Sequence, residues 1–383
     1  MTMKTYITGA YDTLVGELPQ SSCMSLHAEA AFGAIHDAGL EPGDIDGVLC
    51  AYSFTEPHLM LASVFCEYTG IHPNFCAAIQ AGGASACIMV MQAAALVASG
   101  QCNHVLVVAG DNRLTGLSRD GAVAALSEVG HPQFERPFGI SVPASYALVA
   151  QRYMHDFQVT PEHLAAIAVE HRRHAGRHPK AHKRDPISID DVLGSREICS
   201  PLRLLDCCLI SDGGAALVIS RYPAQPGPQP AIEILGAGQG HTHEHIVAAP
   251  SLSDFGCKSS SQRAFEQAGI KPADIDVAQI YDSFTITLLV ELESIGFFPR
   301  GEAGPAALRG ELGLGGSLPC NTHGGLLSYG HSGAAGGMFH AVEAVHQLRG
   351  HARDRQVDGA RLAFVHGDGG ILSAHCSLIL GAT

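Results

Sequence analysis

The chain has 383 residues, 46% hydrophobic and 16% charged, with a formal net charge of -14. That length allows two ordinary domains or one large duplicated unit, and the composition supports a large buried core. The acidity excludes broad binding to nucleic acid or to anionic membrane surfaces. No apolar run reaches the roughly 18 residues a membrane-spanning helix needs.

The first predicted strand covers Lys4–Thr8, and a helix follows near Ser25–Asp37. Short continuous apolar runs predict strands at Gly47–Ala51 and Val105–Val108, buried on both faces. Between them a helix over Ala84–Ser99 is closed by Gly100. From about Asn112 to Ser200 helices are expected near Val142–His155 and Pro161–His174. This stretch also carries Arg172, Arg173, Arg177, Lys180, Lys183 and Arg184 without an intervening acid. Such a cationic run on an acidic chain suits a small polyanionic ligand. The segment RYPAQPGPQP (Arg221–Pro230) reads as a linker. Beyond it come a strand at Ile232–Leu235, helices near Ser259–Ala268, Thr287–Ile295 and Gly333–Gln347, and a strand at Leu362–Val365.

The chain also repeats itself. Ala34–Thr55 and Ala264–Thr285 align without a gap at an offset of 230, with ten of 22 positions identical. A repeat of that period implies a duplicated supersecondary unit. Each half reads strand, helix, strand, helix, strand, so a layered α/β architecture is expected. Residues 1–225 form the first half, including an insertion over about 112–200 with no counterpart in the second; residues 226–383 form the second.

None of the twelve cysteines forms a C-x-x-C pair, and most sit among apolar residues. They read as small buried hydrophobes in a reducing, cytoplasmic setting, which the lack of a signal-peptide pattern in MTMKTYITGA also favours. No metal site is expected: ribbon spacing is absent, and His241, His243 and His245 read as solvated loop. The glycine pairs Gly324-Gly325 and Gly336-Gly337 lack the Gly-Lys-Ser/Thr of a nucleotide-hydrolysing loop.

Two mixed halves with a covering insertion resemble the thiolase superfamily, and three blocks of residues agree. SREICSPLRLLDCCLISDGGAALVIS (Ser195–Ser220) is similar to a segment of sterol-carrier-protein-type thiolases. NTHGGLLSYGHSGAAGG (Asn321–Gly337) resembles the Gly-His-Pro block, with His331 at the catalytic histidine. Val365–Gly370 falls where the last catalytic loop lies. The resemblance implies a duplicated thiolase fold, α/β, with two mixed-sheet halves in a layered αβαβα core under a cover-loop insertion. It implies acyl-CoA thioesters as substrates, with coenzyme A the only cofactor-like group, and a homodimer.

Against that pattern this sequence departs where the chemistry is decisive. The nucleophilic cysteine position, at a helix start that would activate a thiol, holds Gly83. Cys76 and Cys87 are the nearest thiols. The Asn-Glu-Ala-Phe loop reads Tyr281-Asp282-Ser283-Phe284, and the second catalytic cysteine is replaced by His366. What remains resembles the thiolase-related aldolases of bacterial steroid side-chain breakdown. That likeness implies Tyr281 and Tyr329 as acid and base, with His331 and backbone near Gly83 and Gly370 holding an enolate oxygen. His366 is a further catalytic candidate, and Arg172, Arg173 and Arg177 are candidates for the CoA phosphates. It also implies a small zinc-ribbon/OB-fold partner in trans, with the aromatic pair Phe297-Phe298 a candidate contact. The alternatives are an acyltransferase using a non-standard thiol and a non-catalytic acyl-CoA-binding subunit.

Overall fold

The computed structural model describes residues 4–118, 121, 126, 128–223 and 229–383. Part of the expected linker, and part of the insertion, therefore lies outside the described residues. The first half contains strands β1 (Tyr6–Asp12), β2 (Gly47–Ala51), β3 (Phe75–Ile79), β4 (His104–Asn112) and β5 (Asp212–Ser220). Its helices are α1 (Cys23–Asp37), α2 (Leu61–Thr69) and α3 (Ser85–Ala98), and the insertion adds α4 (Val142–Phe157) and α5 (Pro161–Gly176). The second half has β6 (Ile232–His241), α6 (Cys257–Ala268), β7 (Val277–Ile280), α7 (Thr285–Ile295), α8 (Ala335–Leu348), β8 (Leu362–Gly369) and β9 (Ala374–Ala382).

Local chemistry sets these boundaries. Ser22 caps α1, accepting from the Ser25 amide in a reciprocal capping box. Gly296, at φ 98, ends α7 in the left-handed conformation that only glycine adopts without strain. The repeat is visible down to its hydrogen bonds. Asp46 accepts the amides of Asn103 and His104 where β4 starts. Asp276, at the same place in the second half, accepts those of Arg361 and Leu362 where β8 starts.

The nine strands form one sheet in the order β3-β2-β4-β5-β1-β6-β9-β8-β7. The two mixed-sheet halves are joined edge to edge where Tyr6 and Ile7 pair antiparallel with Glu233 and Ile232. Within each half the pattern is the same: β2 runs parallel to β4, and β7 to β8, while β5 and β9 run antiparallel to those neighbours. Helices α3 and α8 lie between the two half-sheets, each touching strands of both, and α1 and α6 cover the outer faces. This is the αβαβα layering. The central layer buries Met89, Val90, Met338, Phe339 and Val342 against both sheets, which fixes the loops at the starts of α3 and α8 relative to each other. Helices α4 and α5 of the insertion pack on α7. Phe297 packs on Phe265 and Phe364 and is partly buried, as is Phe298, so this pair belongs to the core's margin. No helix is long and apolar enough to cross a membrane among the described residues.

Candidate active site

A cavity of about 260 Å³ opens where the two halves and the insertion meet. The start of α3 contributes Gly82 and Gly83, the loop after β7 contributes Tyr281, and the loop before α8 contributes His331. The end of β8 adds Asp368, Gly369 and Gly370. Tyr146 from α4 closes one wall, together with Val142 and Pro143. Tyr52, Arg113 and Cys208 complete the polar lining.

The glycines are required by contact. Gly82 has φ +57, and a Cβ there would lie 2.7 Å from the Gly369 Cα. A Cβ on Gly83 would lie 2.2 Å from Cζ of Tyr281 and 2.4 Å from the backbone oxygen of Asp368. The Tyr281 ring thus fills the space in which a side chain at position 83 would begin.

Tyr281 Oη is 3.0 Å from His331 Nε2, and Cys208 Sγ is 3.2 Å from His331 Nδ1. Burial, and then the nearby Arg113 guanidinium, push the His331 pKa down to about 3, so the imidazole is neutral at pH 7. It carries one ring proton. Either it donates to Cys208 and accepts from Tyr281, or the roles reverse. Burial, with Tyr52, Cys208 and Asp368 adding, pushes the Tyr281 phenol well above its usual range. Tyr281 is therefore protonated in the resting site. The Asp368 carboxyl accepts from Tyr146 Oη at 2.9 Å. Burial, then Glu291, raises it well above the usual carboxylate range, the direction acid–base work near neutrality requires.

Tyr329 is placed elsewhere. Its ring is buried in the central layer, edge-on to His178 at 4.7 Å and to Phe339 at 5.2 Å. Its hydroxyl donates to Asp12. Gly330, at φ +153, lies between Tyr329 and His331, and a Cβ there would meet Val15 at 2.3 Å. This turn sends the phenol inward while His331 faces the cavity. His366 is also behind the cavity wall, with Nδ1 2.9 Å from Ser377 Oγ and Nε2 3.1 Å from His375 Nδ1.

The cationic run divides in the same way. Arg172 is buried, with Nε on Ser328 Oγ at 2.9 Å and Nη1 on the Asp185 carbonyl at 3.1 Å. Its neighbour His171 holds Asp282 at 2.8 Å. Burial pushes the Asp282 carboxyl up, but hydrogen bonds from His171 and His340 outweigh it and hold the group below the usual range. Lys180 pairs with Asp12 at 2.7 Å. Arg173 is exposed and paired with Glu170, and Arg177 is exposed. None of these lines the cavity. His243 uses both ring nitrogens, on Thr242 Oγ1 and the Ile371 carbonyl, so the triple-histidine segment does not converge.

Cys208, Asp368, Arg113 and Tyr146 line the cavity without being singled out by sequence pattern. Asp368 had a legible signal, two residues from His366 in a strand and so on the same face. Cys208 sits within the block that carries the family resemblance, beside Cys207. The thiols weighed from sequence are not the ones present in the cavity. Cys76 is exposed, with Sγ 3.7 Å from Cys66 Sγ. Cys87 is buried in α3, where burial and Glu291 push its pKa up to about 12.

Residues 5–222 match the thiolase N-terminal domain model, and residues 238–382 match the thiolase C-terminal domain-like model. The chain belongs to the thiolase family. Among curated relatives, a steroid side-chain-cleaving aldolase of Thermomonospora curvata is 37% identical over 94% of this chain and 93% of its own. An acetyl-CoA acetyltransferase of Methanothermobacter thermautotrophicus is 30% identical over 96% and 98%. A solved structure described as the Ltp2-ChsH2(DUF35) aldolase superposes with a TM-score of 0.87 at 35% identity, covering 99% of this chain and 98% of that one. This thiolase-family site keeps the histidine and the glycine-rich helix start. A phenol stands at the entrance to that helix.

Proposed function

We propose that this enzyme cleaves the C2–C3 bond of a 3-hydroxyacyl-CoA by a retro-aldol reaction through a thioester enolate. The observation that carries this reading is the Tyr281 ring lying where a nucleophilic side chain on residue 83 would stand. Without that nucleophile the first covalent step of thiolytic transfer has no attacker. A neutral phenol, a neutral imidazole and a raised carboxyl can still move protons.

The reaction consumes no net proton. The 3-hydroxyl proton leaves as C3 becomes a carbonyl, the C2–C3 electron pair enters the thioester as an enolate, and C2 takes up one proton. Asp368, oriented by Tyr146, accepts the hydroxyl proton. Tyr281 delivers a proton to C2 and regains one as Asp368 gives up the proton it took, so both groups end as they began. His331 donates to the enolate oxygen in its Nε2–H form, with backbone near Gly83 and Gly370 beside it. Removing one such oxyanion donor costs about 10²–10³-fold in kcat. The apolar lining, including Val129, Leu209, Ile210 and Phe284, suits a bulky acyl group such as the steroid named for the Thermomonospora curvata relative. Arg173 and Arg177, both exposed in the cationic run, remain the candidates for the CoA phosphates. We further place the enzyme in the cytoplasm, as a homodimer, with a DUF35-type zinc-ribbon/OB-fold chain as partner and no cofactor of its own.

A second reading rests on Cys208, whose thiol is 3.2 Å from His331. An acyltransferase could use such a pair. Burial, however, pushes the Cys208 pKa up to about 12, with Arg113 only partly offsetting it, and a protonated thiol is a poor nucleophile. Incubation with a panel of 3-hydroxyacyl-CoAs, with and without a DUF35 partner, tests the assignment. Release of a ketone or aldehyde and a shortened acyl-CoA is expected. Acyl transfer to added CoA, with no carbonyl product, would establish the second reading.

A further inference from the structure

We propose that Glu291, His366 and His375 form a site for one zinc-type divalent cation directly behind the cavity. The inference does not depend on the aldolase reading. Strand alternation puts His366 and Asp368 of β8 on one face, and pairing of His366 with Ser377 and of Asp368 with His375 puts the β9 residues beside them. Glu291 comes to the same face from the middle of α7. All three proposed ligands are fully buried.

The hydrogen bonds around the cluster fix which ring atoms are free. His375 Nε2 lies 2.9 Å from the Leu372 carbonyl, which can only accept, so the proton is on Nε2 and Nδ1 carries a lone pair. Ser260 Oγ donates to the Cys257 carbonyl and lies 3.0 Å from Ser377 Oγ. Ser377 therefore donates to Ser260, and His366 Nδ1–H donates to Ser377 at 2.9 Å. His366 Nε2 then also carries a lone pair. The two lone pairs face each other across 3.1 Å, an arrangement that two neutral imidazoles do not hold without a cation or proton between them.

Glu291 adds an unsatisfied carboxyl group. Neither of its oxygens has a hydrogen-bond partner among the described residues, which is costly for a buried acid. Its Oε1 is 3.4 Å from His366 Nε2 and 3.7 Å from His375 Nδ1. Ligands about 2.0–2.2 Å from a tetrahedral Zn²⁺ stand about 3.3–3.6 Å apart. The observed edges of 3.1, 3.4 and 3.7 Å bracket that spacing. Two imidazoles and a carboxylate are a common donor set for such an ion. The outer hydrogen bonds to Ser377 and the Leu372 carbonyl supply the orienting contacts such ligands use. Asp368 Oδ1, also without a partner among the described residues, lies 3.9 Å from His375 Nδ1 and offers a fourth direction on the side of the cavity that Asp368 lines.

The test uses the full chain, stripped with a chelator and titrated with Co²⁺ and then Zn²⁺. One Co²⁺ per chain with the intense visible absorption of a four-coordinate centre, displaced by Zn²⁺, is expected, and Zn²⁺ should raise the melting temperature. Glu291→Gln, nearly isosteric, should weaken binding at least 100-fold. If that variant does not fold, anomalous scattering from wild-type crystals soaked in Zn²⁺ decides, with a peak expected among the three ligand atoms. Uptake by the wild type no greater than by Glu291→Gln, weak six-coordinate Co²⁺ absorption, or anomalous peaks confined to surface histidines would overturn the proposal.

Discussion

Gly83→Ala is the smallest change that probes the exchange of a nucleophile for a phenol. The new methyl would lie 2.2 Å from Tyr281 Cζ and 2.4 Å from the Asp368 carbonyl oxygen. Carbon atoms at rest are about 3.5–4.0 Å apart, so the ring must retreat by more than about 1 Å. The Asp368 oxygen belongs to a paired strand and cannot yield easily. Overpacking of this kind costs about 1–3 kcal/mol. Displacing an acid–base group by about 1 Å costs about 10²-fold in rate. The expected outcome is a melting temperature a few degrees lower and kcat lowered by about two orders of magnitude. Steady-state turnover of a 3-hydroxyacyl-CoA by mass spectrometry, beside thermal melting, reads both. Gly83→Cys should behave like the alanine variant and gain no thiolase activity. A Gly83→Ala enzyme with near-normal turnover and stability would show that the ring and residue 83 do not compete for one space.

Tyr281→Phe keeps the ring and removes the hydroxyl beside His331; turnover should fall about 10²–10⁴-fold with the fold intact. Tyr329→Phe should do the opposite, sparing turnover but lowering stability by about 1–3 kcal/mol, because buried Asp12 loses a donor; chemical denaturation separates the two. The fold should weaken as pH falls below about 6.5, the buried histidines outweighing the raised Asp368 and Glu291 carboxyls, which work in the opposite direction. Burial holds the His178 pKa at about 4 and those of His331 and His366 at about 3. Each binds a proton more readily unfolded, so its contribution is present above the unfolded pKa of about 6.5 and lost on acidification. Glu343 works in the same direction lower down. Burial pushes it up, but Arg355 outweighs this and holds it at about 2, so its contribution vanishes between about pH 4.3 and that value. Stability that rises between pH 7 and pH 4 would contradict this.

Much of the architecture was legible because the chain states it twice. The repeat places Asp46 and Asp276 at matching turns, and the apolar runs of β2 and β4 are too short and too continuous for helices. The joining of the two half-sheets was not legible, since it depends on two residue pairs at the edge of β1. At the site, Tyr281, His331, Gly83 and Gly370 were found from their positions in the loops that carry the family resemblance, and all four line the cavity. Tyr329 was assigned by its nearness in sequence to His331, but the turn at Gly330 reverses the direction of the side chain. Arg172 was read as a candidate for the CoA phosphates, yet Ser328 and the Asp185 carbonyl hold it inside. Tyr146 and Arg113 could not be read at all: they reach the cavity from the insertion and from the end of β4, through tertiary packing alone.

The most direct test of enolate chemistry without an acyl-enzyme is turnover in D₂O, with intact-mass analysis of product and protein together. One deuterium should appear at C2 of the shortened acyl-CoA, and the protein should at no point gain the mass of an acyl group. A protein carrying an acyl group on Cys208, or a product formed without solvent hydrogen at C2, would contradict the account.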